Sequence, residues 1–261
     1  AALMPENSLA AFRNAMMLGA DGAELDVQLS VDGVAVVYHD LWLNPGYTRR
    51  DGAWLDGETP RLKDLALAEL RTFDIGRPRP GSDYARAHPD LVAVDGEHIP
   101  TLAELVALVR PAAAFRLLVE LKCDLSPDSA DPVALADAAL RVVEEADFLS
   151  RVVFVGFDWR ALARVKQVQP AAEVWCTSNE RIEGTAALFG LIRGMGGQGW
   201  FPHYSQLSDS AAALARSHGL KLAAWTVNDQ SEMRRLQALS VEAICTDRPD
   251  LLNSLTRHGR A

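Results

Sequence analysis

Apolar residues alternate with carboxylates in Ala23-Glu24-Leu25-Asp26-Val27, and a second apolar stretch follows at Val34-Ala35-Val36-Val37-Tyr38. Side chains alternate along an extended strand, so Glu24 and Asp26 share one face while Leu25 and Val27 take the other. Asp32-Gly33 between the two runs predicts a two-residue hairpin turn. Counting outward from Val31 opposite Val34 brings His39 opposite Asp26. Before this hairpin, Leu9, Phe12 and Met16 follow helical spacing, with Asn7 or Ser8 as the cap and Gly19 as the stop. After residue 100 the pattern settles into strand and helix in turn. A capping box at Thr101-Leu102-Ala103-Glu104 opens a helix, and strand Leu117–Leu121 follows. Asp131-Pro132 starts the next helix, with proline at its first position. Strands are then expected at 152–156, 173–176, 199–203, 221–225 and 243–246, separated by helices at 158–168, 186–192, 208–218 and 229–239.

Strands separated by helices of this length imply βαβ units and a parallel sheet. Seven parallel strands are expected, near residues 24, 119, 154, 175, 200, 223 and 244, with Val34–Tyr38 as a hairpin arm. An eight-stranded TIM (β/α)8 barrel needs one more, and its natural place is immediately before residue 1. An open doubly wound sheet is the alternative, but no glycine-rich phosphate fingerprint follows any strand. Residues 44–100 break the rhythm with Asn44-Pro45-Gly46, Arg77-Pro78-Arg79-Pro80-Gly81 and one short helix at Leu62–Thr72. A connection this long is usually functional or disordered. It is expected to form a small inserted cap over the barrel mouth within a single domain of residues 1–261, its arginines either meeting an anionic substrate or, the commoner role for an arginine, serving as solvated loop charge.

Composition narrows the partners. The chain has 261 residues, 49% of them apolar, and a net charge of −9. No basic stripe outweighs that charge, which argues against nucleic acid. No apolar run is long enough for an integral membrane segment, no signal peptide is evident, and the expected compartment is cytoplasmic. Cys123, Cys176 and Cys245 are far apart and odd in number, giving neither a disulfide framework nor a zinc spacing. Oligomeric state is not encoded in any feature of the pattern.

Glu120 interrupts a run of Leu, Leu and Val, an awkward place for a carboxylate unless it is paired or ligates a metal. It could form a strand-end ion pair with Lys122. Together with Glu24 and Asp26 it would instead suit a hard cation, Mg²⁺ or Ca²⁺, better than zinc. His39 beside these acids fits metal-assisted acid–base chemistry, or else a simple pairing with Asp26 or Asp40. His203 follows a strand, whereas His88, His98, His218 and His258 are expected on the surface, and Asp247 is expected to serve a turn or a helix cap.

Pro5-Glu6-Asn7-Ser8, Gly19 to Val27, Asp32-Gly33-Val34 with His39-Asp40, and Ile99-Pro100-Thr101-Leu102 together resemble the glycerophosphodiester phosphodiesterase family. Val119-Glu120-Leu121-Lys122, Ala224-Trp225-Thr226-Val227-Asn228 and Ile244 to Pro249 extend the resemblance over almost the whole chain, in family order. It implies a TIM barrel with an inserted cap, one divalent cation, and hydrolysis of glycerophosphodiesters to sn-glycerol 3-phosphate and an alcohol. Glu24, Asp26 and Glu120 would be the metal carboxylates, His39 one of two catalytic histidines, and Lys122 a phosphate contact. Trp225 could wall the glycerol pocket or belong to the barrel core. The second histidine belongs to a His-Arg-Gly motif on the first strand, expected just upstream of residue 1. A lysophospholipase D-like enzyme on the same barrel and a non-catalytic binding relative are the alternatives.

Overall fold

In the computed structural model, which describes residues 1–258, β1 (Gly22–Leu29) and β2 (Ala35–Val37) form the antiparallel hairpin. The inserted segment carries β3 (Arg49–Arg50), β4 (Ala53–Trp54) and β5 (Phe73–Asp74). The remaining strands are β6 (Arg116–Leu121), β7 (Val152–Gly156), β8 (Glu173–Ser178), β9 (Gly199–Pro202), β10 (Lys221–Ala224) and β11 (Ala243–Ile244). Among the described residues, eight strands form one sheet in the order β11-β10-β9-β8-β7-β6-β1-β2, with every pairing parallel except β1 with β2. The seven expected parallel strands are all present, including the weak candidate at Gly199. This is the curled parallel sheet of a TIM-barrel-like α/β fold.

The helices are α1 (Leu9–Leu18), α2 (Leu67–Leu70), α3 (Asp83–Ala87), α4 (Leu102–Val109), α5 (Pro132–Glu145), α6 (Trp159–Val168), α7 (Ala186–Gly194), α8 (Asp209–Ser217), α9 (Gln230–Ala238) and α10 (Pro249–His258). Local sequence explains their ends. The Ser8 hydroxyl accepts from Ala11 N, and Gly19 closes α1 at φ 82°, in the left-handed region that glycine enters without strain. Both halves of the Thr101/Glu104 capping box are made, and Asp131 caps α5 ahead of Pro132.

Two apolar layers follow from strand alternation. Leu25, Val27, Leu117, Val119, Leu121, Phe154 and Val174 point outward and pack beneath α4, α5 and α6, in a core that also holds Trp200 and Phe189. Val153, Val155, Trp175, Phe201 and Ala223 fill the interior of the curled sheet. Gly199 is required there, because a Cβ would stand 2.4 Å from the Trp175 ring. The insertion has a core of its own, built from Tyr38, Leu43, Tyr47, Leu62, Leu70, Phe73 and Ile75 among others. Its three short strands pair in the order β4-β3-β5.

Two sequence expectations need correction. The hairpin turn spans three residues, Val31 to Gly33, because Ser30 N donates to Val34 O and only Gly33 has positive φ, at 77°. The ladder therefore runs Val27–Val37, Gln28–Val36 and Leu29–Ala35, a slip of one from the expected register. Tyr38 N bonds to Asp26 O in consequence, and His39 lies one residue beyond. The helix expected over Leu62–Thr72 is split into a 3-10 turn, Leu62–Asp64, and α2. Leu65 is extended at ψ 139°, and the Asp32 carboxylate receives Leu67 N at 3.1 Å, which starts a new helix rather than continuing the old one.

Candidate active site at the mouth of the curled sheet

Asp26 on β1 stands directly beside Glu120 on β6, and Glu24 beside Leu118. Because both strands turn the same face inward, Glu24, Asp26 and Glu120 converge, with one carboxylate oxygen from each lying within 4.8 Å of the others. Asp26 and Glu120 are each only 7% exposed. Burial and the neighbouring acids hold Glu24 well above the usual carboxylate range, and Glu120 is raised for the same reasons.

Lys122, two residues on and on the same face as Glu120, places Nζ 3.1 Å from Asp26 Oδ1 and 3.1 Å from Glu120 Oε1. Burial works against its charge, but the two carboxylates hold its pKa above the ordinary lysine value. The strand-end ion pair and the acidic cluster are thus one structure. Asn7 completes it: Nδ2 donates to Asp26 Oδ2 at 2.9 Å while Oδ1 accepts from Asp26 N at 3.3 Å. Asn7 adopts φ 54°, in the left-handed region, to do so. Carboxylate oxygens alone make a donor set suited to a hard divalent cation. The residual negative charge, three acids against one lysine, leaves a cation electrostatically favoured.

These side chains face a cavity of about 700 Å³, lined also by His39, Glu6, Asp247, Phe157, Phe201 and Trp225. His39 Nδ1 lies 2.6 Å from Asp40 Oδ1, and that hydrogen bond raises the imidazole pKa against the opposing effect of burial. Trp225 anchors its Nε1 to Phe201 O at 3.1 Å and meets Phe157 edge-on at a centroid distance of 5.4 Å. It lines the cavity while half-buried against the interior core.

Several cavity residues depart from expectation. Glu6 lines the cavity, accepts from Tyr84 OH at 3.1 Å, and is raised in pKa mainly by burial. Its signal in sequence was its place in Pro5-Glu6-Asn7-Ser8, a motif that carries the family resemblance but assigns Glu6 no role. His88, expected on the surface, also lines the cavity, because its Nδ1 contacts the Tyr84 carbonyl at 2.9 Å and turns the ring inward. Asp247, expected to serve a turn or cap, lies at the same mouth and accepts from Asn228 Nδ2 at 2.8 Å. His203 sits behind Trp225, with Nδ1 2.8 Å from Ser205 Oγ. The insertion's arginines do not reach the cavity. Arg49 pairs with Asp74 and Asp95, Arg77 with Asp95, Arg79 with Asp56, and Arg61 with Asp64 and Asp128. They tie the cap together and, through Arg61 to Asp128, fasten it to the loop after β6.

A curled parallel sheet that gathers acids, a lysine and an imidazole toward the carboxyl ends of its strands has the organisation of a TIM-barrel enzyme. Comparison with known proteins narrows this. The model of the glycerophosphoryl diester phosphodiesterase family matches residues 1–251. A glycerophosphodiester phosphodiesterase from Caldanaerobacter subterraneus subsp. tengcongensis is 30% identical over 258 residues, 98% of this chain and 94% of that protein. A solved structure from Silicibacter pomeroyi DSS-3 that bears the family's name superposes with a TM-score of 0.89 at 30% identity, covering 98% of this chain and 90% of that one. An Oleispira antarctica phosphodiesterase, solved in complex with the product sn-glycerol-3-phosphate, gives a TM-score of 0.77 at 25% identity, over 96% of this chain and 91% of that one. The chain belongs to the glycerophosphoryl diester phosphodiesterase family.

Proposed function

We propose that this protein hydrolyses glycerophosphodiesters to sn-glycerol 3-phosphate and a free alcohol, and that it needs a hard divalent cation, Mg²⁺ or Ca²⁺, to do so. The observation that carries the reading is the convergence of Glu24, Asp26 and Glu120 on one another from adjacent parallel strands. The product bound in the Oleispira antarctica relative supports the substrate class. We take residues 1–261 as one catalytic domain with about 44–100 as its cap.

Glu24, Asp26 and Glu120 would hold the cation, which when bound supplies positive charge against the phosphoryl oxygens. Lys122, already between Asp26 and Glu120, adds a fixed positive charge on the same wall and would meet a phosphate there. His39 exchanges a proton at the reacting oxygen through the ring nitrogen that Asp40 does not occupy. The other acid–base histidine implied by the resemblance belongs to a His-Arg-Gly motif that residues 1–261 do not contain. Phe157, Phe201 and Trp225 give the cavity an apolar side against which the carbon skeleton of glycerol can rest. Among the described residues, no helix is long and apolar enough to cross a membrane.

Turnover of glycerophosphocholine by the full-length product tests the proposal, with chelator and with Mg²⁺ or Ca²⁺ restored. Activity abolished by chelator and recovered with either ion is expected. Release of choline that chelator leaves unchanged would remove the cation from the reaction. A product inactive on glycerophosphodiesters in every buffer would overturn the function itself.

A further inference from the structure

We infer that Asp40 is a positioning residue which fixes the tautomer of His39, and that the first turn of the inserted cap exists in part to hold Asp40 in that role. The inference rests on the reading of His39 as an acid–base group. His39 leaves the end of the β2 arm with its side chain 49% exposed and lining the cavity. Its Nδ1 lies 2.6 Å from Asp40 Oδ1. An ionised carboxylate only accepts hydrogen bonds, so Nδ1 must carry the proton, and Nε2 is left as the free lone pair for the cavity.

Asp40 is itself fixed from both sides. Its Oδ2 receives Asn44 Nδ2 at 2.6 Å and Tyr47 OH at 3.3 Å. Its backbone carbonyl accepts from Gln28 Nε2 at 2.7 Å, and the same amide group donates to Tyr38 O at 2.9 Å. Gln28 therefore bridges the β1 strand and both residues that flank His39. The turn that supplies Asn44 and Tyr47 is closed by Gly46 N donating to Asn44 Oδ1 at 2.8 Å and Thr48 N to Asn44 O at 2.9 Å. Asn44 thus has its oxygen committed to the turn and its nitrogen committed to Asp40, so it cannot rotate away. Tyr38 OH accepts from Asn44 N at 2.7 Å and anchors the turn to the cap core. Burial pushes the Asp40 carboxyl up, but the hydrogen bond to His39 first, and then those from Asn44 and Tyr47, hold it below the usual aspartate range.

This arrangement makes Asp40→Asn informative. Two donors, Asn44 Nδ2 and Tyr47 OH, will claim the single carboxamide oxygen of the variant. The carboxamide NH₂ is then turned toward His39 Nδ1, which must become the acceptor, and the proton moves to Nε2. The expected consequence is the wrong tautomer with nearly unchanged packing.

The test is the side-chain nitrogen spectrum of ¹⁵N-histidine-labelled protein at a pH where His39 is neutral, with the His39 signals assigned by their loss in His39→Gln. The native protein should show His39 with Nδ1 protonated and Nε2 bare, and Asp40→Asn should show the reverse. In the kinetic arm Asp40→Asn should lower kcat by about 10²–10⁴-fold, the range for loss of acid–base catalysis, with KM nearly unchanged. Tyr47→Phe, which keeps Asn44, should retain the native tautomer. A native spectrum with Nε2 protonated overturns the inference, even if the variant fails to fold. So does an Asp40→Asn protein with the native tautomer. The tautomer is read without substrate, so its failure is distinguishable from failure of the phosphodiesterase reading.

Discussion

Replacing Lys122 with methionine should destabilise the protein strongly without a divalent cation and weakly with one. Lys122 Nζ lies 3.1 Å from a carboxylate oxygen of both Asp26 and Glu120, and its side chain is 21% exposed. At an effective dielectric of ~20 each contact carries a gross attraction of about 5 kcal/mol, most of which offsets the cost of burying the charges. The net effect of removing one partner of a buried pair is about 3–5 kcal/mol, and the partial exposure of Lys122 argues for the lower end. Methionine has nearly the same length, so the loss is not one of packing. Without the lysine, three carboxylates face one another with no counter-charge, and a bound cation is the remaining remedy. Parent and variant both gain stability from a bound cation, so the gap narrows only by the ratio of their affinities, and binding about 100-fold tighter by the variant, expected because the competing ammonium is gone, narrows it by about 2.7 kcal/mol. Urea unfolding in chelator should therefore show a gap of about 3 kcal/mol between parent and variant, and Mg²⁺ or Ca²⁺ should close most of it. An equal gap in both buffers would refute the idea that lysine and cation answer the same charge. A variant as stable as its parent in chelator would refute the burial argument outright.

Glu24→Gln should make the chelated protein more stable above about pH 5 while abolishing cation-dependent turnover. The sign follows from the raised pKa of Glu24, caused first by burial and then by Asp26 and Glu120. Protonation favours the folded form, so the ionised group costs stability as pH rises from its ordinary 4.5 through the folded value, and the variant's advantage in chemical denaturation should vanish as pH falls toward 4.5. His39→Ala should reduce kcat by about 10²–10⁴-fold and leave cation binding by calorimetry nearly intact, since the imidazole is not among the three converging ligand groups. Unchanged turnover would remove His39 from the mechanism. Thr101→Ala removes the hydroxyl half of the α4 capping box, Glu104 N to Thr101 Oγ1, and leaves the Thr101 backbone N–H to donate to Glu104 Oε2. It should lower the unfolding free energy by about 1 kcal/mol with turnover per folded molecule unaltered.

The barrel was legible because its signals are local and repeated. Capping residues such as Thr101 and Asp131 mark helix starts, and runs such as Val152-Val153-Phe154-Val155 mark strands buried on both faces. The acidic triad was legible because Glu24, Asp26 and Glu120 are charges in strands that otherwise read as core. What escaped depends on tertiary contacts that carry no local period. The hairpin slipped because Ser30 bonds across to Val34, a preference that Asp32-Gly33 alone does not reveal. The helix at Leu62–Thr72 broke because Asp32, some thirty-five residues earlier, caps Leu67. Glu6 and His88 reach the cavity through Tyr84, which belongs to neither strand nor barrel helix but to the cap. A long loop gives no register from which such a meeting could be counted.

The charge of the site is concentrated on one strand pair, and the rest of the interior shows why that matters. Around the curled sheet Val153, Val155, Trp175, Phe201 and Ala223 make the apolar interior of β7 to β10, while Glu173 on β8 pairs with Lys221 on β10 and with Arg116 on β6 at the amino-terminal ends of the strands. At the cavity end the charge falls on β1 and β6, where Glu24, Asp26, Glu120 and Lys122 lie within reach of one another. An apolar wall opposite a charged one lowers the local dielectric, and every interaction on the charged side is strengthened by it. That strengthening cuts both ways. It makes the three acids costly when alone, which favours a cation beside them, and it makes Lys122 and the Asp40–His39 pair worth holding at fixed distances. The hairpin serves the same end, since it folds His39 back to the rim of the strand that bears Asp26 and lets the following cap turn grip Asp40. On the proposed reading, a barrel with its charges spread evenly around the wall would lose both the single cation site and the dry face for the glycerol carbons.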